Sequence, residues 1–106
     1  SGTQTATVTT EHTLATLTGP KTFTLTVNTV NMVSGSTHDE LEIRLKTKAV
    51  TGGSEAVTYL ASYVGAQALP IKVSIPLPVA YTATFTLKQT AGTSRNFEWN
   101  ITTPDL

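Results

Sequence analysis

The chain has 106 residues, of which 39% are hydrophobic and 13% charged, and its seven basic and seven acidic side chains give a formal net charge of zero. This length suits a single domain over residues 1–106, and neutrality removes the long-range attraction to nucleic acid or anionic membrane that basic proteins show. The absence of cysteine excludes disulfides and thiolate metal sites. No apolar run approaches the about 18 residues of a membrane helix, so we expect no membrane contact.

Threonine accounts for 23 residues and favours an all-β protein, because its branched side chain suits a pleated surface. Apolar residues do not recur at helical spacing over three turns, so we expect no substantial helix. Residues 4–18 form a first, irregular segment whose apolar positions change parity, which indicates a bulge or a break near Glu11 and His12. Residues 1–10 are a candidate for an extended N-terminal arm.

Alternation of apolar and polar residues with a period of two predicts the next four strands. Two sets are predicted to face inward: Phe23, Leu25 and Val27 in residues 21–29, and Leu41, Ile43 and Leu45 in 40–48. In the other two strands the apolar residues that share one side are Val57, Tyr59, Ala61 and Tyr63 in 56–64, and Ile71, Val73, Ile75, Leu77 and Val79 in 71–79. In residues 56–64, Leu60 and Val64 lie on the opposite side, which leaves open that both faces are covered. Because proline cannot donate to a ladder, residues 71–79 are predicted to be an edge strand that leaves its sheet near Pro76.

Residues 81–101 are predicted to form a β-hairpin with an aromatic stripe, in which Phe85 and Trp99 share the apolar side. The stripe could serve as a ligand platform, but the same parity in the other strands favours a shared core. About seven strands with turn signals every 8–12 residues indicate an antiparallel β-sandwich, either Ig-like or jelly-roll-like.

Chemistry is not evident in the sequence. His38, Asp39 and Glu40 are the one cluster with metal-ligand character, but adjacent residues on a strand point to opposite faces and rarely converge on one ion. No nucleophile elbow or family signature marks a catalytic triad. We therefore expect no enzyme activity, no metal, no cofactor and no small-molecule substrate.

A basic stripe runs along residues 40–48, where Arg44, Lys46 and Lys48 could contact phosphate. Glu40 and Glu42 share that face, however, so a ladder of salt bridges within the chain or between subunits explains the stripe at least as well. Aromatic residues do not interleave with the basic ones, and we expect no nucleic-acid binding.

Three segments carry a resemblance that covers most of the chain from Leu14 to Ile101. They are LTGPKT at 17–22, EIRLKTK at 42–48 followed by TGG at 51–53, and FTLKQTAGT at 85–93 followed by Phe97 and Trp99. Together they resemble a family of small structural proteins carried by tailed bacteriophages and prophages.

The resemblance implies a virion protein that is made in the host cytoplasm and assembled on the capsid surface. The role it implies is a capsid decoration (cement) protein, with the major capsid protein and copies of itself as partners in a homo-oligomer. A tail or head-fibre accessory subunit is the neighbouring alternative. A carbohydrate-binding or adhesin-type β-sandwich is a third, which Tyr59 and Tyr63 keep open.

Candidate contact residues follow from what a sandwich leaves unpaired. In the arm they are Thr3, Thr5 and Thr7, which could add a strand to a neighbour. In the loop before residue 40 the candidate is Met32, which could fill a crevice on a partner. Along the predicted edge they are Pro70, Pro76 and Pro78, whose segment could pack against a partner.

Overall fold

A computed structural model of the chain describes residues 1–104, which contain nine β-strands and no helix. The strands are β1 (Gly2–Thr5), β2 (Glu11–Thr18), β3 (Lys21–Asn28), β4 (Glu40–Thr47), β5 (Ala56–Val64), β6 (Ile71–Val73), β7 (Leu77–Val79), β8 (Thr82–Ala91) and β9 (Asn96–Thr102). Compared with the seven predicted strands, the first and the fifth are each divided in two.

The nine strands form two antiparallel sheets, and the chain passes repeatedly from one to the other. The first sheet has the order β1-β9-β3, with both β6 and β7 on the far side of β3, and the second has the order β2-β8-β4-β5. Counting β6 and β7 as one interrupted strand gives the eight-stranded arrangement of a jelly roll. The all-β sandwich is thus confirmed, and its strand order is the jelly-roll alternative rather than the Ig-like one.

The core lies between the two sheets and is built from the predicted inward faces. Phe23, Leu25 and Val27 enter from the first sheet and Leu41, Ile43 and Leu45 from the second, and all six are buried. Phe85 and Phe97 are also fully buried, whereas Trp99 is only partly buried beside this core.

The predicted hairpin of residues 81–101 is wrong, although the inward direction of its apolar stripe is confirmed except at Tyr81, which is exposed. β8 pairs with β2 and β4 in the second sheet, whereas β9 pairs with β1 and β3 in the first. Residues 92–95 therefore cross from one sheet to the other. Alternation identifies the buried face of a strand but not its partner, and two facing strands can share one core without pairing.

The first segment breaks earlier than predicted, in residues 6–10, and its bulge lies between Thr13 and Ala15 rather than near Glu11. Thr9 adopts a φ of 72° in the turn, a conformation that β-branched residues rarely take. Residues 2–5 are not a free arm, because they pair with Asn96–Trp99 along β9. The amide of Ala6, which is buried, donates to the Arg95 carbonyl at 2.9 Å and continues this attachment.

The segment 71–79 is an edge, as predicted, but only its second half turns its apolar residues inward. Leu77 and Val79 are buried, whereas Ile71, Val73 and Ile75 are exposed, so the five residues do not share one face as the alternation predicted. The parity reverses because the chain leaves β3 after Val73 and returns at Leu77, past Pro76.

Ser74 fills the gap between the two short strands. Its amide donates to the Leu25 carbonyl at 2.8 Å, and its hydroxyl accepts the Leu25 amide at 3.0 Å while donating to the Ile75 carbonyl at 2.9 Å. Ser74→Ala should therefore lower the free energy of unfolding by about 1–3 kcal/mol, because it leaves a buried amide without an acceptor. Urea unfolding would measure the loss, with the exposed Ser62→Ala as the control that should change little. Equal effects of the two substitutions would contradict this role.

Candidate functional site

Exposed apolar side chains gather along one side of the sandwich, where the edge strands β5 and β6 lie. Within residues 1–104, eleven large hydrophobic side chains are exposed, and seven of them fall between residues 57 and 75. We call these seven the apolar border: Val57, Leu60, Val64, Leu69, Ile71, Val73 and Ile75. Strips of exposed apolar residues mark interaction surfaces more often than scattered single residues do. Here the β5 members face outward from the second sheet and the β6 members from the first, so the border consists of two strips, one on each side of this margin.

The β6 part of the border arises because this strand alternates in the opposite sense from the others. Ile71 and Val73 point outward, and Lys72 between them is half-buried on the inner side. The Lys72 ammonium lies 5.1 Å from the centroid of the Tyr63 ring, a cation–π contact that joins β6 to β5 across the margin of the sandwich. This contact gives the inward lysine a partner while the isoleucine and the valine face outward.

The β5 part of the border is the outer face of an edge strand. Tyr59, Ala61 and Tyr63 face inward and are half-buried, and burial raises the pKa of the Tyr63 phenol, with a smaller contribution from Tyr59. Leu60 and Val64 lie on the opposite face, as predicted, and the chain leaves that face uncovered. Val57 joins them, contrary to the prediction, because a bulge between Leu45 and Lys46 shifts the register.

The predicted proline contacts lie next to this border. Pro76 and Pro78 are exposed, but Pro70 is half-buried. The Pro70 carbonyl accepts both the amide of Thr29, at 2.8 Å, and its hydroxyl, at 2.7 Å. Pro70 therefore anchors the connection between β5 and β6, whereas Pro76 and Pro78 are accessible.

The predicted arm contacts lie at the other end of the first sheet. Thr3, Thr5 and Thr7 are all exposed, and β1 keeps one open edge. β9 and β3 separate β1 from β6, so the structure does not bring the arm together with the proline edge.

Met32 is not available to a partner in this structure. It is only 2% exposed and packs in the core of its own chain. The Met32 amide donates a hydrogen bond to the Thr29 carbonyl at 3.0 Å, and this bond closes the turn that directs the Met32 side chain inward. The prediction that it fills a crevice on another protein is therefore corrected.

The basic stripe on β4 is engaged in ion pairs within the chain. The Lys46 ammonium lies 2.9 Å from Glu11, and the Arg44 guanidinium lies 2.8 Å from Glu42. The Thr86 hydroxyl donates to Glu11 at 2.6 Å, and this bond, followed by Lys46, lowers the pKa of the Glu11 carboxyl. Arg44 and Lys46 therefore each have an acidic partner, whereas Lys48, the third residue of the predicted stripe, has no ion pair within residues 1–104. Two of the three predicted basic residues are thus not free to contact a phosphate.

A buried polar cluster at one end of the sandwich was missed from the sequence. Asp39 is fully buried, and its carboxylate accepts the amides of Val33 and Thr93 and the Arg95 Nε, each at 2.9 Å. The amide of Gln89, also fully buried, lies 3.3 Å from the same carboxylate. We call Asp39, Gln89 and Arg95 the Asp39 cluster; it joins the loop before β4 to the crossing between β8 and β9.

Two open depressions are candidate sites for small ligands within residues 1–104. The larger has a volume of about 570 Å³, lies beside Pro20 and Pro78, and is the more open to solvent. The better-enclosed depression has a volume of about 160 Å³, below the about 300–1,000 Å³ of ordinary ligand pockets. It is lined by Thr26, Asn28, Ile71, Glu98, Trp99 and Asn100. The Asn28 side chain already donates to Glu98 at 3.0 Å, and the described residues contain no group of three or more potential metal ligands.

Aromatic side chains do not form an exposed platform in the described part of the chain. Of the seven, Tyr81 alone is exposed, while Tyr59, Tyr63 and Trp99 are half-buried and the three phenylalanines are buried.

Within residues 1–104, no helix is long and apolar enough to cross a membrane. Comparison with protein-family models, with curated proteins and with solved structures gives no match for this chain.

Proposed function

We propose that this protein is a capsid decoration protein, which binds the outside of a phage head and stabilises it. The proposal starts from the sequence resemblance to phage structural proteins. The observation that carries it in this chain is the apolar border, a set of outward apolar side chains beside a proline-rich edge. Jelly rolls recur in viral capsid domains and in lectins, so the fold is compatible with this role without selecting it.

The physical requirements of a cement protein fit the molecule. Such a protein does no chemistry and gains its effect from many copies, each of which contributes a modest contact across a joint between capsid subunits. The β6 part of the border, with Ile71, Val73 and Ile75, offers an apolar contact on the outer margin of a rigid sheet. Pro76 and Pro78 discourage strand addition there, so we expect side-chain packing rather than sheet extension.

The double variant Ile71→Ser/Val73→Ser should bind capsids at least about tenfold more weakly, because the proposal places these two residues at the centre of the contact, where truncation of a buried side chain can cost more than about 1 kcal/mol. Capsids that lack the protein would be incubated with it and sedimented, and the bound fraction would be measured. Val30→Ser/Val50→Ser is a matched control, because these valines are 62% and 61% exposed but lie outside the border. Both doubles should keep near-normal stability.

The outcomes of this experiment test separately whether the protein binds capsids and whether β6 forms the contact. Equal binding of the border double and the wild type would remove β6 from the interface. Failure of the wild type to bind capsids would refute decoration itself. A copy number per virion close to that of the capsid subunits favours decoration, whereas a few copies would favour the tail or head-fibre accessory.

The carbohydrate-binding alternative has one observation in its favour, the small depression that includes Trp99, Asn28 and Glu98. A half-buried tryptophan offers little stacking area to a sugar ring, and the polar pair is already hydrogen-bonded. A glycan array would test this alternative directly, and specific binding that Trp99→Phe abolishes would support it.

A further inference from the structure

We propose that β5 pairs with β5 of a second copy, antiparallel and about a two-fold axis at Ala61. The two second sheets would then join into one eight-stranded sheet. This inference does not rest on the decoration role, because it uses only the edge of β5 and the residues behind it.

β5 is the least protected edge of the sandwich. It has nine residues, the longest of the edge strands, and contains no proline, no glycine and no charged residue. The other edges carry devices that discourage pairing: β1 has four residues, and β6 and β7 are short and flanked by prolines. β2 and β5 each have one bulge, but β2 also carries the charged Glu11, whereas β5 has no charged residue. Natural proteins leave a long apolar edge open mainly where it meets a partner.

The order of residues along β5 matches a copy of itself. β4 and β5 are antiparallel, so Glu40 at one end of β4 pairs with Val64 and Lys46 at the other end pairs with Val57. Ile43, in the middle, pairs with Ala61. A two-fold axis at Ala61 therefore sets Val57 opposite Val64, Tyr59 opposite Tyr63 and Leu60 opposite Ser62. The two outermost pairs are apolar and the next two are aromatic, with the small alanine at the centre, and such cross-strand pairs stabilise sheets.

Charge on β4 does not oppose the same axis. The outer residues of β4 run from Glu40 and Glu42 to Arg44 and Lys46. With the axis at Ala61, the row of Glu40 continues into the row of Lys46 in the second copy, and the row of Glu42 into that of Arg44. The two β4 strands lie about 14 Å apart, three strand spacings, and Arg44 and Lys46 are already paired within each chain, so these charges contribute little to the choice of register.

Neighbouring registers are less favourable. An axis at Leu60 would set Tyr59 opposite Ala61 and Val57 opposite Ser62, which gives up the matched aromatic and valine pairs. An axis at Ser62 would leave both Tyr59 and Val57 without partners. An axis between residues would set outward side chains opposite inward ones, which the pleat does not allow.

The absence of cysteine from the sequence permits a direct test by cross-linking. Directly opposed Cα atoms in an antiparallel pair lie about 4.5–5.5 Å apart, within the range of a disulfide. Ala61→Cys should therefore form a covalent dimer under mild oxidation, seen on a non-reducing gel. Ser62→Cys is the register control, because its two copies would be offset by two residues and about 8 Å apart, and it should cross-link at least about tenfold more slowly.

The wild type should sediment as a dimer at sub-millimolar concentration. Leu60→Lys places a charge on the edge and should weaken the dimer at least about tenfold, which corresponds to about 1.4 kcal/mol. Thr16→Lys on the opposite edge, β2, adds the same charge and should leave the dimer unchanged. Intrinsic fluorescence would confirm that each variant is folded.

Three results would overturn the proposal. They are a wild type that stays monomeric throughout this range, a Leu60→Lys variant that dimerises like the wild type, and Ser62→Cys cross-linking as fast as Ala61→Cys. Cross-linking of Ala61→Cys to a capsid subunit, with the wild type monomeric, would assign the edge to the capsid instead.

Discussion

Replacing Asp39 with alanine should lower the free energy of unfolding by about 3–5 kcal/mol, the usual result of removing one partner from a buried ion pair. The carboxylate is fully buried, and three donors lie 2.9 Å from it: the amides of Val33 and Thr93 and the Arg95 Nε. Alanine would leave the two amides without an acceptor and Arg95, whose side chain is 28% exposed, without its partner. Urea unfolding followed by Trp99 fluorescence would measure the loss.

Glu98→Ala is the matched control for this substitution. Its carboxylate also accepts a hydrogen bond, from Asn28 at 3.0 Å, but the residue is exposed. Its removal should change stability by less than about 0.5 kcal/mol. Similar losses of unfolding free energy in the two variants would contradict the prediction. They would show that the buried contacts of Asp39 stabilise the fold no more than the exposed hydrogen bond of Glu98.

The Asp39 cluster also predicts how stability responds to acid. Burial alone would raise the pKa of the Asp39 carboxyl, but the amides of Val33 and Thr93 and the Arg95 guanidinium together outweigh it and lower the pKa. The native state therefore binds this proton less readily than the unfolded chain does. The stability it contributes is present above the unfolded pKa of about 3.9 and is lost as the pH falls through the lower native value.

The acid response can be assigned to its residues by mutation. Below about pH 4, the wild type should lose stability with a steeper slope than Asp39→Ala. Glu11 also has a lowered pKa, so a smaller slope should remain in the variant. Parallel slopes in the two proteins would show that Asp39 titrates normally in the native state.

The faces of the strands could be predicted from the sequence, whereas the pairings could not. Alternation correctly placed Leu25, Ile43 and Phe85 in the core, because it reports which side of each strand is apolar. It also suggested that residues 81–101 fold back as a hairpin, since adjacent strands often pair. In a jelly roll, consecutive strands mostly belong to opposite sheets, and this depends on loop paths and distant contacts that no local pattern contains.

The same limit applies to the contact surface and to the buried cluster. Asp39 and Gln89 extend the inward parities of β4 and β8, so their direction was visible in the sequence, but the bonds that join Asp39 to Gln89, Thr93 and Arg95 span 50 to 56 residues. The apolar border could not be predicted from the sequence for a different reason. The reversal at Ser74 and the bulge beside Thr58 change parity within a strand and turn Val57 and Val73 outward.

Gly92→Ala should be about as damaging as the loss of Asp39, with a cost of about 4 kcal/mol. Gly92 has a φ of 92°, and a Cβ there would overlap Asp39 Oδ1 and lie 2.7 Å from the Asp39 Cα. Gly52→Ala is the matched control, because Gly52 has a similar φ of 82° but nothing lies within 4 Å of the added Cβ. The control should cost about 1–2 kcal/mol, from backbone strain alone.

The difference between the two glycine variants measures the contact with Asp39, free of backbone strain. A difference below about 1 kcal/mol would show that residues 92–95 move away without penalty and that the crossing between β8 and β9 is not rigid. Combining Gly92→Ala with Asp39→Ala removes the overlap with the carboxylate but keeps the approach to the backbone. The double variant should therefore lose less stability than the sum of the two single losses, because both act on one contact at the point where the chain crosses between sheets.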